Sequence, residues 1–347
     1  MATRSLDPIL ALEALRAEHL HETKTDAAAS LGVNRTTFNS RLHVAKGMFP
    51  DWKPDEAIPE TLPPKDLPLD ERIEHIKRAN AQRIAHKQAM DWQRVHIPVK
   101  GPYGLCWFGD PHLDDPYCDL TSFEKHAKLC ADTPAMFGVN GGDTLNNWVG
   151  RLKALYADQP VTAEEGWELA DWALNGLGVR WACWILGNHD VWEMGYRIFD
   201  KMNTNKVLMR DWEAKLTFVS PNGGECKAWI RHDFKGQSIY NELHGQKRAA
   251  MFTGGLADIY AAFHRHNFAT GQFELDNNRE ATLIRARGYK DEDHYAMLHG
   301  FPSQERGQSV VSIIDPHPGD QPNISVFKDV EEGCDFLTFR RKKAGYD

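Results

Sequence analysis

The sequence predicts a layered α/β domain preceded by a small all-α module. Three observations predict it. Residues up to about Met48 are rich in Ala and Leu at helical spacing. Pro50, Pro54, Pro59, Pro63, Pro64 and Pro68 then forbid a regular helix and favour a stiff, extended connector. From about His96 onward, short apolar runs alternate with helical stretches, which is the pattern of α/β layers. The expected organisation is a head over 1–48, a connector with a polar helix over 49–95, and a large domain over 96–347.

In the head, Thr25 to Leu42 reads as two short helices around a glycine turn. Thr25 is the expected cap of the first, with Asp26 in its first turn, and Ala27, Ala28 and Ala29 give a small face for close helix approach. Gly32 ends that helix in the left-handed conformation, and Asn34 caps the next. Phe38, Leu42 and Val33 face inward, leaving Arg35, Thr36, Thr37, Asn39, Ser40 and Arg41 outward. The polar stretch from Asp70 to about Arg94 lacks Pro and Gly. It reads as a long surface helix with an irregular apolar stripe of Ile73, Ile76, Ile84 and Val95.

In the large domain the runs 104–108, 135–140, 179–186, 226–230 and 257–263 read as strands, as do 281–287 and 309–314. Thr121–Cys130 and Ala163–Leu177 read as helices, and Arg340 to Lys343 as a solvated tail.

Bulk properties bound the function. The chain has 347 residues, 41% hydrophobic, with 11 Trp, enough for a substantial core. A net charge of -8, spread along the chain, argues against a basic nucleic-acid coat and against an acidic tail. The six cysteines form no C-x-x-C pair, as expected of reduced thiols. The start of the chain has no apolar signal region, and the run around Trp181 to Leu186 is far too short to span a bilayer. The expectation is a cytoplasmic protein with no membrane partner.

Five clusters of oxygen and imidazole ligands recur in a fixed order: Asp110-Pro111-His112, Gly142-Asp143, Gly187-Asn188-His189-Asp190, Arg231-His232-Asp233 and His264-Arg265-His266. Most follow an apolar run, which places them at strand ends. Each alone has a plainer reading as a turn or a cap. Together, about 30 to 45 residues apart, they suit intervening α/β units. Carboxylate and neutral imidazole suit a borderline divalent cation. The glycines before Asp143 let the backbone bend beside an ion, and a carboxylate there can bridge two ions. Asn188 offers a carbonyl oxygen. His189 diverges from its neighbour and is left for proton chemistry. The H-x-H step puts both rings on one side of an extended segment. His244 rivals His232 but follows no strand.

These motifs resemble the calcineurin-like metallophosphoesterase superfamily, whose pattern is D-x-H, G-D, G-N-H-D/E, H and G-H-x-H, over roughly His96 to Pro316. Phe263 stands where that pattern has Gly, which puts the geometry of the H-x-H loop and the width of the pocket in question. The resemblance implies a four-layer αββα sandwich with the site at the strand ends. It implies two divalent metal ions, Mn favoured over Fe, Zn or Ni. One would be held by Asp110, His112 and His266, the other by Asn188, His232 and His264, with Asp143 bridging. It makes His189 the catalytic histidine and Asp190 its orienting partner. The chemistry implied is attack on phosphorus by a metal-activated water.

Residues 31–38 resemble a Fis- and resolvase-type helix-turn-helix, which implies DNA contact through Arg35, Thr36, Thr37, Asn39 and Arg41. A helical module for dimerisation is the alternative. Head and domain together resemble repair exonucleases and phage or prophage proteins. The expected activity is a DNA nuclease or exonuclease, its partner DNA, with a homodimer as a further expectation. The alternatives are a phosphodiesterase or phosphatase of nucleotides or small phosphoesters, and a DNA-binding regulator with a vestigial metal site.

Overall fold

The structure is a computed structural model that describes residues 6–54, 68–252, 256–275, 278–291 and 307–346. The chain divides into two compact units, Met1–Lys77 and Arg78–Asp347.

The first unit is helical. Helices α1 (Pro8–Leu20), α2 (Lys24–Ser30) and α3 (Arg35–Met48) enclose Ala11, Ala14, Leu15, Ala27, Ala28, Phe38, Leu42 and Ala45. The cap of α2 is Thr23 rather than Thr25: its Oγ accepts from Asp26 N at 3.2 Å. Ala29 is exposed. Asn34 caps α3 through Thr37 N at 2.8 Å, and Gly32 turns between the two helices at φ 63°. Arg35, Thr36, Asn39 and Ser40 are exposed, and Thr37 and Arg41 are half-buried. A polar helix, α4 (Leu69–Ala89), buries none of its residues.

The second unit is built on two six-stranded mixed sheets. Its described strands are β1 (Gln93–His96), β2 (Tyr103–Phe108), β3 (Met136–Asn140), β4 (Trp181–Leu186), β5 (Met209–Asp211), β6 (Glu213–Val219), β7 (Glu225–Arg231), β8 (Ile259–Ala262), β9 (Ala269–Glu274), β10 (Glu280–Arg285), β11 (Ser309–Asp315) and β12 (Asn323–Phe327). One sheet runs β1-β6-β7-β8-β10-β9 and the other β12-β11-β2-β3-β4-β5. The large domain thus begins before His96: Gln93 pairs with Leu216, and Val95 lies in a strand rather than a helix.

Side-chain alternation builds the layers. Leu105, Trp107, Cys183, Ile185, Ile259 and Ala261 point between the sheets. Their neighbours Cys106, Phe108, Trp184 and Leu186 point outward beneath α5 (Leu120–Asp132), α6 (Ala163–Asp171) and α8 (Gly195–Met202). On the far sheet Tyr260, Ala262 and Leu283 point outward beneath α9 (His244–Phe252). The result is helix, sheet, sheet, helix. A short helix, α7 (Asn188–Val191), follows β4. The basic C-terminal residues are no solvated tail. They end α10 (Val330–Lys343), where buried Arg341 donates to the carbonyls of Lys100 and Pro102 at 2.9 and 2.8 Å. No helix among the described residues is long and apolar enough to cross a membrane. All six cysteines are free, five of them buried.

Phe263 is fully buried in the inter-sheet core. A Cβ on Gly141 would lie 2.2 Å from its ring, and one on Gly109 2.8 Å. Two glycines therefore supply the space the phenyl ring takes within the inter-sheet core. Phe263→Ala should destabilise by about 3–5 kcal/mol. Gly141→Ala alone should also destabilise, and the double variant should lose less than the sum of the two in urea denaturation.

His126 on α5 packs against Tyr289, its Nδ1 2.8 Å from the phenol oxygen. Burial, then the Lys125 charge, push its pKa from 6.5 down to about 4. The folded state resists protonation that the unfolded chain accepts, so this stability is full above pH 6.5 and is lost as pH falls toward 4. Denaturation at a series of pH values should show that slope, and His126→Gln should flatten it.

Candidate metal centre

The C-terminal ends of five strands deliver the site. In register, Phe108 lies beside Asn140 and Asn140 beside Trp184, so the turns after β2, β3 and β4 emerge together. Arg231 lies beside Ala262, so those after β7 and β8 do the same on the other sheet. The two sheets meet where Trp212 N donates to Leu186 O at 3.0 Å and its carbonyl accepts from His232 N at 2.9 Å.

The tightest convergence surrounds His232, which is fully buried. Its Nδ1 lies 2.8 Å from the Gly141 carbonyl, which can only accept, so Nδ1 carries a proton. That Nε2 is 3.1 Å from Asn188 Oδ1, 3.1 Å from Asp143 Oδ2 and 3.1 Å from His264 Nδ1. Ligand atoms of Asp143, His232 and His264 all lie within 4.8 Å of one another. Electron pairs crowded in this way call for positive charge among them, from a proton or a metal cation. Burial alone would lower the His232 pKa, but Asp143, then Asp110, push it up to about 10. A proton drawn that strongly marks where positive charge belongs. Burial likewise works against ionised Asp143, yet His232, His264 and His189 hold its pKa well below the usual carboxylate range.

The second group is looser. Asp110 Oδ2 accepts from His264 N at 2.6 Å, while buried Asp110 Oδ1 and His112 Nδ1 have no hydrogen-bond partner. The His112 ring lies 5.2 Å from that of His266 and 5.1 Å from that of His189. Burial, then the neighbouring histidines, hold His112 well below the usual range, and burial, then Lys290, hold His266 down at about 4. Neutral imidazoles with unpaired buried atoms beside a carboxylate fit a divalent cation.

The backbone carries a matching signature. Five of the seven expected ligands sit at positive φ without being glycine: Asp110 at 36°, His112 at 44°, Asp143 at 51°, His264 at 70° and His266 at 51°. Such residues cost about 1–3 kcal/mol each and persist where the surroundings over-determine them. Gly142 and Gly187 allow the approach: a Cβ on Gly187 would lie 2.2 Å from Asp143 Oδ1, and one on Gly142 2.5 Å from Gly187 N.

His189 takes its partner from a residue the sequence reading passed over. Its Nδ1 lies 2.5 Å from the Asn146 carbonyl. Asp190, expected in that role, instead spends both oxygens on the main chain, accepting from Thr144 N at 2.9 Å and Gly187 N at 3.0 Å. It ties the two metal-bearing turns together, and burial with nearby Asp143 raises its pKa to about 7. Asp233, part of the fourth cluster, has no role that the sequence alone assigns. It accepts from Arg265 at 2.9 Å and from buried Arg285 at 3.4 Å, and Arg285 donates to Phe263 O at 2.6 Å, fixing the H-x-H loop. Its position beside His232 was the available signal. His244 opens α9 and stands outside the convergence.

No protein-family model and no curated protein matches the chain. Among solved structures it is similar to an NAD nucleotidase of Haemophilus influenzae at 10% identity, covering 65% of this chain and 49% of that one, with a TM-score of 0.38. It is similar to a 5'-nucleotidase precursor of Thermus thermophilus at 8% identity, covering 70% and 58%, TM-score 0.37. A hypothetical protein of the same organism matches at 11%, covering 65% and 98%, TM-score 0.37. The chain spans about half the length of the first of these and under two thirds of the second. Likenesses at this level carry no weight for the chemistry, which is read from the residues themselves.

Titration with Mn²⁺ should show that Asp233→Ala, which frees Arg265 and loosens the loop carrying His264 and His266, weakens metal binding. His232→Ala should lose one of two ions outright. Wild-type affinity in both variants would contradict the arrangement.

Proposed function

We propose that the protein is a dinuclear-metal phosphoesterase of the calcineurin-like type that hydrolyses phosphodiester bonds in DNA. The single observation that carries this reading is the convergence of Asn188, Asp143 and His264 on His232 Nε2, with Asp110 Oδ1 and His112 Nδ1 buried beside it without hydrogen-bond partners. One cation would be held by Asp110, His112 and His266, the other by Asn188, His232 and His264, with Asp143 shared. When bound, such a pair supplies Lewis acidity, acidifying water and offsetting phosphoryl charge; manganese suits these ligands.

The chain's own residues do the rest. Hydrolysis breaks the bond from phosphorus to the leaving oxygen and one O–H bond of the water, and makes a bond from phosphorus to the water oxygen. The leaving oxygen must gain a proton. His189, pinned through Nδ1 to Asn146 O, has Nε2 left to carry that proton. Burial keeps the ring's pKa below its usual value, so Nε2 rests unprotonated near neutral pH, takes up a proton as the water loses one, and gives it up readily to the leaving oxygen. Asp143 Oδ1, accepting from His189 N at 3.0 Å, keeps the proton donor and the shared ligand in one frame.

DNA is favoured as substrate by α3, whose outward side carries Arg35, Thr36, Thr37, Asn39 and Arg41. Cations for phosphate and polar groups for base edges are the needs of such a surface.

The Mn²⁺-loaded protein should cleave linear DNA, and His189→Ala should lower kcat roughly 100- to 10,000-fold while metal content stays at the wild-type level. Metal lost together with turnover would contradict the role of His189. Hydrolysis confined to nucleotides or p-nitrophenyl phosphoesters would remove DNA as the substrate. Arg35→Ala should weaken DNA binding without altering hydrolysis of bis(p-nitrophenyl) phosphate.

A further inference from the structure

Of the eleven tryptophans, eight pack into the hydrophobic clusters of the two units. The three that belong to none, Trp148, Trp192 and Trp212, all stand at the metal centre. Trp148 and Trp192 flank His189, with ring centroids 5.3 and 4.2 Å from its imidazole. Trp212 occupies the other flank, 5.1 Å from His232 and 6.3 Å from His264. All three indoles are half-buried, so each keeps part of its surface in solvent.

Their backbones are held with care. Trp212 has φ 61°, and Asn147 and Glu193, next to Trp148 and Trp192, have φ 39° and 52°. Asn147 Nδ2 donates to the carbonyls of His189 at 2.7 Å and Trp192 at 3.3 Å, and Lys153 pairs with Glu193 at 3.1 Å, joining the two tryptophan-bearing segments. Lys290 Nζ, 2.8 Å from Asp115, lies 5.9 Å from the Trp148 ring and adds a cation on that flank.

A metal centre built of carboxylate, amide and imidazole does not itself require indoles. Flat apolar rings on both sides of it suit flat ligands on both sides of the scissile phosphate. We propose that Trp148 and Trp192 on one flank and Trp212 on the other are base-stacking platforms, so that the substrate is an unpaired strand with its bases turned out. Every base has a π-face, so such platforms accept any sequence. In a duplex those faces are covered by neighbouring base pairs and are not available to an indole. The inference rests on the phosphodiesterase reading above and adds the strand state of the substrate.

The test uses the full-length, Mn²⁺-loaded protein and a thymidine dinucleotide, too short to form a duplex. Trp192→Leu and Trp212→Leu should each raise KM for the dinucleotide roughly ten- to hundredfold, the loss expected of one base–aromatic stack. The Ki of inorganic phosphate, which has no ring, should move less than about twofold, and Trp192→Phe and Trp212→Phe should recover most of the loss. KM and Ki rising together would mean that the indoles only brace the histidines and would overturn the proposal, as would an unchanged KM. An unpaired oligonucleotide should be cleaved roughly tenfold or more faster than a blunt hairpin of the same sequence, and equal rates would also overturn it. A wild-type protein inert toward every phosphoester, bis(p-nitrophenyl) phosphate included, sinks the phosphodiesterase reading instead. Fluorescence anisotropy of a labelled tetrathymidylate then still judges the platforms: binding that weakens in the Leu variants supports them, and unchanged binding rejects them.

Discussion

Everything around the site answers to one constraint: too many electron pairs point at one small volume. Asn188 Oδ1, Asp143 Oδ2 and His264 Nδ1 all lie within hydrogen-bond distance of His232 Nε2, and the Nδ1 proton of that ring is already committed to Gly141. In a low-dielectric interior such a cluster is unfavourable without positive charge. The chain nonetheless enforces it with strained backbone at Asp110, His112, Asp143, His264 and His266. Two layers of β-structure hold those turns, with Asp190 and Asp233 as cross-ties between them. The fold contributes rigidity, and the site uses that rigidity to hold groups that would otherwise move apart.

The places of the residues that converge were legible in the sequence because strand ends are legible. Apolar runs such as those of β2, β3 and β4, buried on both faces, read clearly, and the polar clusters that follow them sit where the runs stop. What was hidden had no such signal. β1, β5, β9 and β12 are edge strands with half-exposed residues, so their composition resembles loop, and β6, though interior, interleaves Glu213, Lys215 and Thr217 with its apolar residues and forms no continuous apolar run. The C-terminal helix was masked by its run of cations, although Arg341 is buried and bonded. The helix cap at Thr23 lies two residues from the one expected, within the ordinary uncertainty of helix ends.

Roles were harder to read than positions. Asp190 follows His189 directly, and adjacency suggested a pair. Yet the Asp190 carboxylate closes on Thr144 and Gly187, and the histidine is held by Asn146 from a different strand end. Phe263 looked like a threat to the site. Its neighbours in space, Gly109 and Gly141, are far away in sequence, and only the folded arrangement shows that they make room for its ring. Both cases turn on tertiary contacts that no local pattern encodes.

Electron paramagnetic resonance of the protein loaded with two equivalents of Mn²⁺ tests the central claim most directly. Two ions sharing the Asp143 carboxylate should give an exchange-coupled multiline spectrum, collapsing to that of a single ion in Asp143→Asn. A wild-type spectrum of isolated Mn²⁺, or of Mn²⁺ free in solution, would contradict it.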